Sequence, residues 1–543
     1  MQDKILKDIT SGQEAKDHLL RGVDALANVV GSTMGFRGRT VLIESMFGMP
    51  EPTKDGYKTL QSIFLEHPVE AMACEVAKQA SQRTVDFAGD STSATIVLLQ
   101  AFFRNSLEAL KNGKSAIDIK NDIEKSVDLI VKYLDSISVM EITDKIIYDV
   151  ALTSANGEVE IAKIVQEAFI KVGEHGSVTH LRSNNEETHL DFIDGTLVES
   201  GYATEHCINN LADRTAEFHN PLIVCSNIVF KTFRQVQPFL EFALRPEVNQ
   251  PIILIGDWQD SACWQVRDVI NQNIMGGKLQ CAMVNAPSFG NKRRDFLTDL
   301  ATLCGTQLLS SLSGDDFKGR ETQFLGACKK AIIGKSDTII SPIENEEIKV
   351  VVDSKIAEIE SQIEVSKNPL EKKYLNDRLS KLHGGVSIIK VGSIIESELQ
   401  EKIDRVEDAI CAVRSAKEEG VLGGGGIALI SAIENLTLDK ISAKSIKSPF
   451  EKILKNAGML KDNRTWLDKL LGLKGKSEII IEDFNYPIGY DVKNFKQVDM
   501  FDAGILDATK AIKHALINSA SASNTLLLTD NIVTNSRMTT QRQ

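Results

Sequence analysis

The residues best equipped for chemistry lie in Ala88-Gly89-Asp90-Ser91-Thr92-Ser93-Ala94-Thr95, one carboxylate among hydroxyls and small side chains. Directly behind come Ile96-Val97-Leu98-Leu99 and then Phe102, Phe103, Leu107 and Leu110, an apolar run that predicts a buried helix. Asp, Ser and Thr ahead of such a run are helix-start signals, because their side-chain oxygens accept from the helix's unpaired N–H groups. Those N–H groups and the positive end of the helix dipole also hold phosphate. Asp90 would then suit magnesium, a hard ion that prefers oxygen ligands. An ordinary cap over a core helix also explains the stretch, and caps are common.

Two further loops before residue 95 have the same character. Thr33-Met34-Gly35-Phe36-Arg37-Gly38-Arg39 pairs two glycines three apart with two arginines, which makes either a turn or an anion cradle. Pro52-Thr53-Lys54-Asp55-Gly56 is a tight turn with a lysine beside an aspartate. Far downstream, Asp404 and Asp408 lie four apart on one face of a helix over 401–420. Its other stripe is Val406, Ala409, Ile410, Val413 and Ala416. That helix runs into Gly423-Gly424-Gly425-Gly426, where a backbone can approach a flat group or phosphates closely.

Several elements must position these residues. Leu19, Leu20, Val23, Leu26, Val29 and Val30 predict a helix over 15–30, Val41–Ile43 a strand, and 115–175 more helix broken at 153–157. From about 175 short strands at 222–225, 252–255 and 282–284 alternate with helices at 233–244 and 262–274, the pattern of an α/β domain. Residues 354–382 predict a charged helical pair turning at Asn368-Pro369, and the last hundred return to helix. At 543 residues the chain exceeds the span of one core, so several domains are expected. A net charge of -13 argues against a basic nucleic-acid surface. Eight scattered cysteines without a Cys-x-x-Cys pair predict buried free thiols rather than zinc or disulfides. With no signal-like start and no membrane-length apolar run, the expected location is the cytoplasm.

Taken in order, these motifs resemble the group I chaperonins of the GroEL type. The resemblance is carried by Thr33-Met34-Gly35-x-Arg37-Gly38-Arg39, Thr53-Lys54-Asp55-Gly56, Ala88-Gly89-Asp90-x-Thr92, Ser154-Ala155-Asn156, Arg405-Val406-Glu407-Asp408-Ala409, Gly424-Gly425-Gly426 and Gly504-Ile505-Leu506-Asp507. Ala286-Pro287-x-Phe289-Gly290-x-x-Arg293 is similar as well. It spans about 15–530. The fold it implies is multi-domain, mainly α with α/β. A helical equatorial domain would comprise 1–136 with 419–543, a small α/β intermediate hinge domain 137–193 with 385–418, and an α/β apical domain 194–384.

The function implied is that of an ATPase that folds proteins inside a homo-oligomeric ring. ATP and magnesium are the implied ligands, with potassium as a further candidate ion. Thr33, Gly35, Arg37 and the turn at Asp90, Ser91 and Thr92 would surround the phosphates, with Asp90 on magnesium. Asp55 and Asp408 would orient or activate the attacking water, Asp408 arriving when the hinge closes. Gly425, Asp491 and Asp507 would meet adenine and ribose, and Met34, Lys54, Gly56, Ser93, Ala94, Asn156 and Ile505 would complete the nucleotide site. Client proteins would meet Tyr202, His206, Cys207, Gln237, Leu240, Trp264, Val269 and Ile270, a less apolar set than the family's, with Trp264 also weighed as core. A co-chaperonin is a candidate partner; nucleic acid and membrane are not.

The departures carry information too. Ser91, Ser93 and Ala94 stand where the family usually has Gly, Thr and Thr. The hydroxyl lost at Ala94 costs about 0.5–1.5 kcal/mol of phosphate contact. Ser91 adds a Cβ where the backbone crowds the ligand. Glu108 and Glu451 stand where the family is commonly basic, and Leu460 where it is acidic. The resemblance implies a ring of seven, and these reversals predict that a second ring is held weakly, not at all, or only in some nucleotide states. The divergence admits a viral as well as a bacterial source. The alternative function is a ring-forming scaffold or holdase with little turnover. A small-molecule kinase lacks support, since neither a Walker loop nor a kinase catalytic loop occurs.

Overall fold

The computed structural model describes residues 7–44, 50–173, 176–183, 186–193, 195–211, 213–310, 317, 319–343, 345–366, 368–393, 395–459 and 486–535. The expected contact at Leu460 lies outside them. The chain divides into two compact units, Met1–Gln166 with Ile395–Gln543, and Glu167–Ile394.

The first unit opens with strand β1 (Lys7–Ser11) and helix α1 (Gly12–Val30). Leu19, Val23, Leu26 and Val30 recur at helical spacing and are buried. Strands β2 (Val41–Ile43) and β3 (Glu51–Thr53) pair antiparallel, and helices α2 (Gly56–Ser62), α3 (Pro68–Ala88), α4 (Thr92–Lys111), α5 (Ala116–Ile137) and α6 (Asp144–Ser154) follow. Helix α4 is the apolar run read from the sequence, with Ile96, Leu98, Leu99, Phe102 and Phe103 fully sequestered. Helices α1 and α3 approach so closely that a Cβ on Gly22 would stand 2.4 Å from the Glu70 carbonyl oxygen.

Helix α7 (Val159–Val172) leads into the second unit. Strands β4 (Ser177–Arg182), β5 (His189–Ile193) and β13 (Val386–Val391) form a small sheet in the order β4-β13-β5. The larger sheet has seven strands: β6 (Thr196–Val198), β7 (Ala216–His219), β8 (Leu222–Cys225), β9 (Ile252–Gly256), β10 (Cys281–Asn285), β11 (Gly326–Ile333) and β12 (Thr338–Pro342). Its order is β10-β9-β8-β11-β12-β6, with β7 also on β11. Strands β8, β9 and β10 are parallel and, apart from Asn285 at the end of β10, apolar and buried, as strands covered on both faces must be. Helices α8 (Phe233–Ala243), α9 (Trp264–Met275) and α10 (Gly290–Leu303) accompany them, and α11 (Glu346–Val365) and α12 (Pro369–His383) form the expected pair. Trp258 is core, its indole N–H donating to the Leu254 carbonyl at 3.0 Å.

The first unit resumes with α13 (Glu396–Glu419), β14 (Val421–Gly423), α14 (Ile427–Asn435), α15 (Lys440–Ser445) and α16 (Ser448–Asn456). The hairpin β15 (Ile488–Asp491) and β16 (Lys496–Asp499) follows, then β17 (Leu506–Ala508), α17 (Thr509–Leu528) and β18 (Asn531–Asn535). Small residues on α17, among them Ala515, Ser519, Ala520 and Ser523, are buried where it lies along α3 and α4. Strand β18 pairs with β1 and joins the two ends of the chain. The cysteines are free, and all but the half-buried Cys411 are buried; burial raises the thiol pKa values, to about 12 at Cys225 and Cys328. Among the described residues no helix is long and apolar enough to cross a membrane.

Candidate functional site

The N-terminus of α4 faces a cavity of about 440 Å³ in the first unit, a size that takes a small-molecule ligand. Helix α3 ends at Gly89 in a left-handed conformation (φ 71°), and Ser91 repeats it at φ 72°. A left-handed serine carries strain of about 1–2 kcal/mol. The Cβ that Ser91 adds is thus a burden on the backbone itself. The Ser91 side chain makes no capping hydrogen bond. The first N–H groups of α4 are therefore left to face the cavity without the cap that the sequence also allowed, which favours an anion there.

Carboxylates gather opposite this helix end. Asp55 is fixed by its backbone, Oδ1 accepting from Tyr57 N–H at 2.8 Å and Oδ2 from Lys58 N–H at 2.9 Å, so it caps α2 while lining the cavity. A Cβ on Gly56 would lie 2.2 Å from Ser93 Oγ, which shows how tightly the starts of α2 and α4 meet. Asp90 accepts from the Ser91 N–H through Oδ1 and from Ser154 Oγ through Oδ2 at 3.4 Å. Asp408, on α13, already lines the same cavity in this conformation. Desolvation, then the charges of Asp90 and Asp55, hold its pKa well above the usual carboxylate range. Asp90 is likewise raised by desolvation and by Asp55.

The opposite wall is built from glycine turns. Gly425 and Gly426 have φ of 68° and 84°, and their N–H groups bond to the Asp507 carboxylate. A Cβ on Gly424 would stand 2.9 Å from the Ile505 carbonyl oxygen, so the strand carrying Asp507 needs glycine beside it. Asp507 sits in β17, and burial with the charge of Asp90 lifts its pKa to about 6. Asp491 lines the cavity but is also occupied by its own hairpin. Its carboxylate accepts from Lys493 N–H (2.8 Å), Asn494 N–H (3.3 Å) and Asn494 Nδ2 (2.6 Å). Thr33 spends its hydroxyl proton on the Val30 carbonyl at 2.8 Å.

Of the eighteen residues expected around nucleotide and metal, seventeen line this one cavity, among them Met34, Gly35, Lys54, Thr92, Ala94, Asn156 and Ile505. Arg37 is the exception. Its Nε donates to the Val492 carbonyl at 2.8 Å and a terminal nitrogen to that of Lys493 at 3.2 Å, so its fork is turned to the β15–β16 loop. Asp404, given no role at the nucleotide site from the sequence, also lines the cavity, with Gln400 Nε2 at 2.7 Å and Lys58 Nζ at 3.9 Å. The signal was present, since Asp404 precedes Asp408 by one turn. Sequence reasoning also left out Ser154 as the partner of Asp90.

The expected client residues divide. His206, Gln237 and Trp264 are exposed and Tyr202 and Val269 half-buried. Cys207, Leu240 and Ile270 are 4%, 5% and 0% exposed and belong to the cores around the large sheet. Those three are corrected: an apolar side chain on a half-buried helix faces inward when the sheet needs it. Glu108 is paired within its own unit, where Lys444 meets it at 2.9 Å and holds its pKa low.

An open helix end facing clustered carboxylates suits a phosphate-bearing ligand with a divalent ion, as a nucleotide-binding protein requires. The TCP-1/cpn60 chaperonin family model matches residues 26–238 and 269–537, and the chain belongs to that family. It is 33% identical over 540 residues to the mitochondrial chaperonin CPN60-1 of Cucurbita maxima, covering 97% of this chain and 90% of the relative. The mitochondrial chaperonin CPN60-2 of Zea mays is 34% identical with the same coverage. Among solved structures, the fold resembles chaperonin gp146 from the bacteriophage EL 2, crystallised in presence of ATP-BeFx. The TM-score is 0.73 and the identity 21%, over 97% of this chain and 99% of that one. The chain is a divergent group I chaperonin and, as such, an ATP-dependent chaperone.

Proposed function

We propose that this chain hydrolyses ATP in the cavity of the first unit and couples turnover to the handling of non-native proteins inside a homo-oligomeric ring. The observation that carries this is Asp408, set on α13 against Asp55 and Asp90 at an uncapped helix N-terminus. Hydrolysis of a phosphoanhydride needs positioning, charge neutralisation and a carboxylate that orients water. The N–H groups of α4, with Thr92 and Ser93, would take phosphate oxygens, and Asp408, assisted by Asp55, would orient the water. Gly425 and Asp507 would meet ribose and base.

The donor set also fits a hard divalent ion, because the charge of Asp55 raises the proton affinity of Asp90 and Asp408, Asp90 adds to the effect on Asp408, and a cation relieves that crowding. Asp90 would hold magnesium, which when bound supplies neutralising charge to the phosphates.

We adopt the three-domain division given above, with 137–193 and 385–418 as the hinge segment. A ring of seven, single or weakly paired, is the assembly; the ion pair of Glu108 with Lys444 softens one of the like-charge contacts that argued against pairing. Clients would meet Tyr202, His206, Gln237, Trp264 and Val269.

The test is ATP turnover of the assembled protein. Asp408→Asn is expected to lower kcat by about a hundredfold or more while nucleotide affinity stays within a fewfold. Undiminished turnover in Asp408→Asn would remove that residue from the chemistry. Tight nucleotide binding with no turnover in the wild type would instead favour the holdase.

A further inference from the structure

We infer that Arg37 and Phe495 form a clasp across the mouth of the cavity that sets how long a nucleotide stays. The inference rests on the nucleotide reading of that cavity.

The two loops involved are distant in sequence. Loop 34–39 contributes Met34, Gly35 and Phe36 to the cavity wall, and the β15–β16 hairpin contributes Tyr490 through Asn494. Arg37 is not itself part of the wall, but it ties the two wall-forming loops together. Its guanidinium donates to two successive carbonyls, Val492 (2.8 Å) and Lys493 (3.2 Å), and its Cζ lies 4.3 Å from the Phe495 ring centroid. The exchange is reciprocal, since Lys493 Nζ lies 5.1 Å from the Phe36 ring centroid. Each loop thus presents one cation to an aromatic ring of the other.

Phe36 and Phe495 are 41% and 47% exposed, and neither needs to be aromatic for the core. Phe36 is braced from below, because a Cβ on Gly157 would come within 2.6 Å of its ring. The hairpin has its own foothold, with Val492 buried against Ile427, Phe450 and Leu454. It can therefore stay folded when the clasp opens. Two hydrogen bonds from a charged fork and two cation–π contacts form a closure strong enough to slow escape and weak enough to open each cycle. Arg37 is in these terms a positioning residue. It acts through the hairpin and touches no reacting atom.

The experiment is stopped-flow dissociation of ribose-labelled fluorescent ADP from the assembled protein. Arg37→Ala is expected to speed dissociation about tenfold, with association and single-turnover hydrolysis within twofold of wild type. Phe495→Leu is expected to give about threefold and Phe495→Tyr the wild-type rate, because tyrosine keeps the ring face. Arg37→Lys, which keeps charge but loses the fork, should fall between. Amide exchange across 488–499 should quicken in Arg37→Ala alongside. If the wild type binds labelled ADP and both Arg37→Ala and Phe495→Leu release it at the wild-type rate, the clasp is wrong and the nucleotide site stands. If the wild type binds none, the nucleotide reading falls and the clasp falls with it.

Discussion

In the α/β unit Arg378 grips Asp299 through two parallel hydrogen bonds of 2.7 and 2.8 Å, and the Tyr374 hydroxyl donates to neighbouring Asp295 at 2.9 Å. In the helical unit Asp90, Asp408 and Asp507 crowd one cavity and are pushed toward their protonated forms by desolvation and by one another. Both regions bury carboxylates, but Asp299 is ion-paired with Arg378, whereas among the described residues Asp90, Asp408 and Asp507 have no ion-pair partner. Burying an ion costs several kcal/mol unless it is paired. A buried pair therefore marks architecture, whereas carboxylates that repel one another around a cavity mark a place completed by something from outside.

The contrast can be broken at either end. Asp299→Ala would strand Arg378, whose side chain is 12% exposed, and is expected to destabilise the α/β unit by about 3–5 kcal/mol. Urea unfolding followed by the fluorescence of buried Trp258 reads this, with nucleotide affinity unchanged. A loss under about 1 kcal/mol would mean the pair is ornamental.

The opposite sign is expected in the cavity. Asp507 has its pKa raised from 3.8 to about 6, so the stability it confers is full below pH 4 and is lost as pH rises through 6. Asp507→Asn should make the ligand-free protein more stable than wild type at pH 7, by at most about 3 kcal/mol, with the gap closing toward pH 4. Thermal melts at both pH values check it, and a destabilised variant at pH 7 would show the carboxylate to be structural.

How far the sequence reached follows the same physics. Asp55, Asp90 and Asp408 were expected together from the resemblance, and each is held at the cavity by local rules. Asp55 is a helix cap, Asp90 sits between a left-handed glycine and a helix start, and Asp408 is on the polar face of an amphipathic helix. The parallel strands at 222–225, 252–256 and 281–285 were legible as short apolar runs between helices. Arg37 was misplaced because its partners, the carbonyls of Val492 and Lys493, lie more than 450 residues away and leave no local trace. Cys207, Leu240 and Ile270 were misplaced for a related reason. Periodicity finds the apolar positions of a helix but not which of them the sheet beneath will claim.

Whether the cavity carboxylates await a cation is tested most directly by counting protons. Preformed magnesium–ADP is titrated into the ligand-free protein at pH 6, in buffers of different ionisation enthalpy. The expected result is a net release of protons, diminished in Asp507→Asn and Asp408→Asn. Binding whose heat is the same in every buffer would contradict it, because carboxylates already ionised before the ligand arrives have no protons to give.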